Sequence, residues 1–429
     1  MGERLAIHGG KKAVPENAKK VKWPVITEED KQSVMGVLER GVLFGPYAPE
    51  VVALQEEFAK YVGTKYCIAT NSGTAALHMA IAAADIGPGD EVITSAFSFL
   101  ASATCILHHN ALPVFVDIDP ATYNIDVNKI EEKITEKTKA IIPVHIHGLP
   151  CDMDRIQEIA KKHNLAVIED ACQSHGALYK GKKTGSMGEM ATFSLNSTKN
   201  LVGGEGGLFV TNSEELRAKA NMTRMFGEFV KEGEGRSYKA YTMGWMYRTQ
   251  EMAAALTRSQ LRRLDHYNGI SQRNGDYLTK TLSGIKGLIP PATPSDRTHI
   301  YHKYRVVLDP KALGINMEPV KFRDLVMNAL KAEGVDIVLW QLFPLPENPL
   351  FQNIEGYGKG CPWLCPHSRK ADWKAEYAPN AYPATKKLVE NSVVVCSEPY
   401  PPYCQEMELM EHYAEGFRKV FENIGEVVE

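Results

Sequence analysis

The chain has 429 residues, 44% of them hydrophobic and 24% charged, enough to bury a large core and to divide into more than one domain. Lysine and arginine number 49 against 52 acids, and the net charge of -3 is well mixed along the chain. That excludes the basic footprint of a nucleic-acid binder and points to a small-molecule site. The opening stretch through Pro24 lacks the apolar core of a signal peptide, no segment is long and apolar enough to span a bilayer, and eight dispersed cysteines suit reduced thiols in a cytoplasm.

From about residue 65 to 212, short apolar runs alternate with amphipathic ones. "YCIAT" is followed by "TAALHMAIAAADI", then "DEVITSAF", "FLASATCILHHN", "LPVFVDID", "VNKIEEKI", "KAIIPVHIHG", "MDRIQEIAKKHN" and "LAVIEDA". This rhythm predicts an α/β domain whose mainly parallel sheet has helices on both faces. After "GGLFVTN", "SEELRAKANMTRMFG" reads as a helix, and a Gly-rich charged loop follows near 226–240. A single long helix over 249–282 is long enough to bridge to another domain. "PPATPSD" (290–296) reads as a linker, "HKYRVVLD" as a strand and "KFRDLVMNALKAEG" as a helix of a smaller, irregular domain, with a Pro- and aromatic-rich stretch from 343 to 403.

Ligands of such sheets bind where strands end at their carboxyl edge. In "CIATNSGTAALHMA" the run Asn71-Ser72-Gly73-Thr74 joins a strand to a helix, as a cradle for an anion or as an N-cap and turn without a ligand. In "LAVIEDACQSHGA" two acids end a strand; a buried Asp170 requires a facing cation or donors, or caps the next helix, and His175 fits a hydrogen-bonded core position. "FSLNSTKNLVGGEGG" sets Lys199 among small polar residues before a glycine run; in isolation it reads as a solvated surface lysine. "CPWLCPH" (361–367) has no second ligand pair to complete a zinc site, so no metal is expected. One cofactor uses an anion cradle, a strand-end acid and a lysine together: pyridoxal phosphate.

The stretches "NSGTAALHMA", "GPGDEVITSAFSFLASA", "PVFVDIDPATYNID", "KTKAIIPVHIHG", "VIEDACQSHGA" and "FSLNSTKNLVGGEGG" follow one another nearly without a gap. On these the chain resembles the DegT/DnrJ/EryC1/StrS aminotransferases, pyridoxal phosphate enzymes of fold type I that aminate keto-sugars and keto-cyclitols. The resemblance implies the aspartate-aminotransferase-like fold, with an N-terminal arm over 1–25, a large cofactor-binding α/β domain over 26–250, and a linking helix with a smaller α+β domain over 251–429. It implies Lys199 as the lysine that holds pyridoxal 5'-phosphate as an aldimine and shuttles the proton, and Asp170 as the acid at the pyridine nitrogen. It further implies Phe99 as the aromatic stacked on the ring, although core packing is the simpler reading of that residue alone. Gly73, Thr74 and Ser194 correspond to the phosphate cradle, and Gln173 to a side chain beside the ring oxygen.

The family commonly carries G-x-N-x-R before its linking helix, with an Asn that reaches the partner subunit's phosphate; here "GWMYR" puts Met246 in that place, so that contact is either absent or supplied by another group such as Arg248 or Tyr247. The resemblance also implies a homodimer with shared active sites and a ping-pong reaction in which glutamine or glutamate donates the amino group. "LFPLPENPLF" and the insert through "CPWLCPHSRKADW" look most like the scyllo-inosose aminotransferase branch of aminocyclitol pathways. Nucleotide-linked keto-sugars are the alternative acceptor, and a non-catalytic cofactor-binding sensor is a further alternative. Glu205 has no expected role beyond its loop.

Overall fold

The computed structural model describes residues 3–230, 236–368 and 372–429. The middle of the loop expected near 226–240, and three residues of the insert that follows Pro362, lie outside them.

A seven-stranded sheet is built from β1 (Tyr66–Thr70), β2 (Glu91–Ser95), β3 (Leu112–Val116), β4 (Thr138–Ile142), β5 (Ala166–Asp170), β8 (Met190–Ser194) and β9 (Gly207–Thr211). The short hairpin β6 (Leu178–Tyr179) and β7 (Lys182–Lys183) lies between β5 and β8 in the chain. The strand order is β1-β9-β8-β5-β4-β2-β3, and β9 alone runs against the others. Every residue of β2, β3, β8 and β9 is buried, so these strands do not alternate apolar with polar faces, and their few polar side chains, Thr94 and Thr192 among them, are buried with the rest. The helix Gly73–Ala83 is buried over nearly its whole surface against β8 and β9 and the helix Glu214–Arg224.

A second, antiparallel sheet of order β10-β11-β13-β12 comprises β10 (Leu288–Ile289), β11 (Tyr304–Leu308), β12 (Ile337–Val338) and β13 (Ser392–Val395). The helices Pro319–Ala332 and Met407–Glu422 cover it through Phe322, Val326, Met410, Tyr413 and Phe417, and Leu5 and Val14 of the N-terminal segment join the same core. The buried Glu333 carboxylate accepts from the N–H groups of Ala6 (2.7 Å) and Ala13 (2.9 Å) and from Lys419 Nζ (2.9 Å), which ties that segment to the second sheet.

Three local departures from the sequence reading have physical causes. The helix expected over 249–282 is two helices, Glu251–Leu261 and Leu264–Leu282. Arg263 leaves helical geometry between them (φ -108°, ψ 0°) while its guanidinium grips the buried Asp30 at 2.7 and 2.9 Å. "VNKIEEKI" forms two single 3-10 turns rather than a helix, since Asp126 caps the first and Ile134 is already extended. The insert does not stand apart: Leu345, Phe351, Trp363, Trp373, Tyr377 and Tyr382 pack on the large sheet with Phe115, and Tyr377 Oη donates to the Pro113 carbonyl at 2.8 Å.

No helix among the described residues is long and apolar enough to cross a membrane.

Candidate active site

At the carboxyl edge of the large sheet lies a cavity of ≈ 360 Å³, and Gly73, Thr74, Phe99, Asp170, Gln173, Ser194 and Lys199 all line it. The sheet order explains the convergence. β1, β5 and β8 end on the same edge, so the residues just past each strand meet above it although they are far apart in the chain.

At the first corner, Ser72 caps the helix Gly73–Ala83, its Oγ accepting from the Ala75 N–H at 3.0 Å. The N-cap reading of this stretch therefore holds, and it is compatible with an anion, because the N–H groups of Gly73 and Thr74 precede the intrahelical ladder. Gly73 is required by crowding: a Cβ there would lie 2.9 Å from Ser194 Cβ and 3.1 Å from Cys172 Sγ. The same holds for Gly207, whose Cβ would clash with the Ser72 carbonyl oxygen. Ser194 ends β8, and its Oγ accepts from the Asn196 N–H at 3.3 Å.

Asp170 ends β5 and is buried. Its Oδ2 accepts from Ser102 Oγ at 2.6 Å, Ser102 is paired with Ser98 Oγ at 2.7 Å, and Oδ1 accepts from the Cys172 N–H at 3.2 Å. These donors hold a carboxylate in place inside the protein. Asp170 does not cap a helix, because none follows it before β8.

Lys199 sits in the turn after β8 with its main chain fixed from three directions. Its N–H donates to Asn196 O (2.9 Å), and its carbonyl accepts from the Trp23 indole N–H (3.0 Å). The Thr198 carbonyl before it accepts from Tyr403 Oη (2.8 Å), and Asn200 Nδ2 after it donates to His175 O and Asn268 Oδ1. Lys199 is half-buried and lines the cavity, so it is not a solvated surface lysine. Burial holds the Lys199 pKa below its ordinary value, with Cys172, Asp170 and Glu398 acting in the opposite sense, so the amine is neutral more readily than a solvated lysine. Burial, reinforced by Lys199, also lowers the pKa of His175 to about 3, and that histidine is a neutral core residue.

Phe99 is 59% exposed, so it is no core residue; its ring lines the cavity. Gln173 is buried, and its Oε1 accepts from the His147 N–H at 2.9 Å.

The sequence reading missed the wall supplied by the second sheet: His302, Lys303, Trp340 and Glu398. Lys303 Nζ donates to Glu398 Oε1 at 3.2 Å, across 95 residues of chain, a distance that hides the pair from local pattern reading. Burial, aided by Lys199 and Lys303, holds His302 well below its ordinary pKa and keeps it neutral. Glu205 acquires a contact, accepting from Asn196 Nδ2 at 2.7 Å. It also lines a second, more open groove of ≈ 550 Å³ with Phe44, Asn71, Met246 and Arg248. There Met246 is 48% exposed, its carbonyl accepts from Asn71 Nδ2 at 3.4 Å, and the Arg248 guanidinium lies over the Phe44 ring at 5.5 Å.

Among the described residues no group of three His, Cys, Asp or Glu side chains is placed to hold a metal ion, the Cys361–Cys365 stretch included.

Comparison with known proteins matches residues 24–371 to the model of the DegT/DnrJ/EryC1/StrS aminotransferase family. The L-glutamine:scyllo-inosose aminotransferase of Streptomyces griseus is 32% identical over 445 aligned residues that cover 100% of both chains. The GDP-perosamine synthase of Caulobacter vibrioides is 40% identical over 284 residues, covering 63% of this chain and 76% of that protein. Among solved structures, an aminotransferase from Psychrobacter cryohalolentis superposes with a TM-score of 0.81 at 30% identity, over 95% of this chain and 100% of the other.

Proposed function

The chain belongs to the DegT/DnrJ/EryC1/StrS aminotransferases, enzymes that use pyridoxal phosphate, and we propose that it transfers an amino group from glutamine or glutamate to a keto-cyclitol of the scyllo-inosose type. The observation that carries the choice of acceptor is the end-to-end match with the Streptomyces griseus enzyme, which spans the whole of both chains. The match with the GDP-perosamine synthase reaches only 63% of this chain but at 40% identity, and it favours a nucleotide-linked keto-sugar as the second reading.

The cavity fits the cofactor on its own features: a capped helix start crowded enough to demand Gly73, a buried carboxylate held by Ser102, an exposed aromatic and a lysine shifted toward its neutral form. In this reading the Gly73 and Thr74 N–H groups and the Ser194 hydroxyl bind the phosphate. Phe99 and Gln173, which line the cavity, would stack on the ring and sit beside its oxygen substituent, respectively. Asp170, anchored by hydrogen bonds from the Ser102 hydroxyl and the Cys172 N–H, would hold the proton on the pyridine nitrogen. Lys199 would hold the cofactor through its aldehyde, and its Nζ, as a neutral amine, would carry the proton. When bound, the cofactor supplies the electron sink for the carbanion.

The assembly is a homodimer in the same reading. Phe44, Phe226, Tyr238, Tyr241 and Met243 are all exposed, Phe44 and Met246 line the groove that Glu205 shares with the active-site cavity, and a second copy seated there would abut both sites. With all eight thiols unpaired, the cytoplasm is the location this reading assigns.

Incubation of the holoenzyme with glutamine and scyllo-inosose tests the acceptor. Mass detection of the amino-cyclitol supports the proposal; amination of a nucleotide-linked keto-sugar alone transfers the assignment to the second reading.

A further inference from the structure

The wall contributed by the second sheet is not explained by cofactor binding. Lys303 is only 7% exposed, yet its ammonium makes a single hydrogen bond, to Glu398, which is 50% exposed. An ammonium has three donors, and burying it with one partner is costly unless something else meets the remaining ones. Lys303 Nζ also lies 5.6 Å from the centre of the Trp340 ring, and all three side chains line the cavity that holds Lys199. The neighbouring cation, Arg305, is used internally: it donates to His147 Nε2, Ser392 Oγ and the Trp340 carbonyl.

A lysine and a glutamate at 3.2 Å present a donor and an acceptor side by side with their charges already matched. Such a pair has little net attraction for an anionic group, whose approach Glu398 would oppose. It suits a neutral ligand with adjacent hydroxyls, one accepting from the ammonium and the next donating to the carboxylate, each in a charge-assisted bond. The partly exposed indole beside it offers a flat apolar surface to the C–H face of a ring.

We propose that Lys303 and Glu398, backed by Trp340, form a clamp for vicinal hydroxyls of the amino acceptor's ring and determine specificity in the second half-reaction. The proposal rests on the polyhydroxylated acceptor assigned above. Glutamine and glutamate carry no vicinal hydroxyls for the clamp to hold, so their affinity is expected to be insensitive to it.

The test measures the two half-reactions separately by stopped-flow absorbance on holoenzyme carrying Lys303→Met, Glu398→Gln or both. Each single change is expected to raise the scyllo-inosose concentration for half-maximal rate by ~10-fold, the loss of one charge-assisted hydrogen bond. The glutamine concentration for half-maximal rate is expected to stay within about twofold of wild type, and binding of the cofactor, seen in its visible band, shows that the variants fold; the maximal rate is not the readout, because Glu398 also acts on Lys199. An equal rise in the half-maximal concentration of glutamine, or no change for either substrate, overturns the clamp. Wild type that ignores scyllo-inosose but accepts a nucleotide-linked keto-sugar sinks the keto-cyclitol reading instead. The same variants then test the clamp on that sugar's hydroxyls by the same criterion.

Discussion

Lys199 concentrates the chemistry of the site in one amine, and its environment makes a prediction that does not depend on turnover. Its folded-state pKa lies below the ordinary lysine value of 10.5, with burial the first cause. Between those two values the unfolded chain binds a proton that the folded apoprotein does not, so this residue's contribution to stability improves as pH rises toward 10.5. Apoprotein carrying Lys199→Met is therefore expected to melt above wild type at neutral pH, with the gap narrowing as pH climbs; a gap that is constant or reversed in sign contradicts the buried-amine account. In the holoprotein, Lys199→Ala is expected to abolish the visible absorption of bound pyridoxal phosphate. Lys199 reads as a surface lysine in isolation and became legible only beside the Asn71–Thr74 run and Asp170, each at a strand end that the sequence marks. Lys303 and Glu398 were not, because neither has a neighbour in sequence that reveals its partner.

At the scale of elements, the start of the helix Gly73–Ala83 serves stability and binding by different residues. Ser72→Ala removes the cap and should cost about 1 kcal/mol of stability. Gly73→Ala leaves the cap intact but drives a methyl group to 2.9 Å from Ser194 Cβ, so its effect should fall on the cofactor. Titration of the apoprotein with pyridoxal phosphate is expected to show binding weakened by at least ~10-fold, as for a lost charge-assisted contact. Unchanged affinity would remove this helix start from the phosphate site. The strands of the large sheet were readable because both faces are buried and each carries a short apolar core, such as "PVFV" in β3, between turn residues. The break at Arg263 was not, since its cause is Asp30, more than two hundred residues away. Nor was the seat of the insert, because Trp363 and Tyr377 look the same on a surface loop as against β3.

At the scale of the whole molecule, buried histidines in three separate places set the response to acid. His78, His175 and His299 are each depressed to about 3, with burial the first cause. Their contribution to stability is fully present above 6.5, the ordinary value, and is lost as pH falls from there toward 3, at up to about 1.4 kcal/mol per pH unit for each. The melting temperature is expected to drop steeply between pH 6.5 and 4.5, and a flat profile would show that these rings are solvated. The convergence of both sheets on one cavity, with Lys199 and Asp170 from the first and Lys303 and Glu398 from the second, is a property of the complete fold. It is also where the assignment of function is most directly tested. Holoenzyme treated with glutamine and freed of the excess should lose its visible band, and scyllo-inosose added alone should restore it in a single turnover. Restoration by a nucleotide-linked keto-sugar and not by scyllo-inosose would contradict the keto-cyclitol assignment, and failure of glutamine and glutamate alike to change the band would contradict amino transfer from these donors.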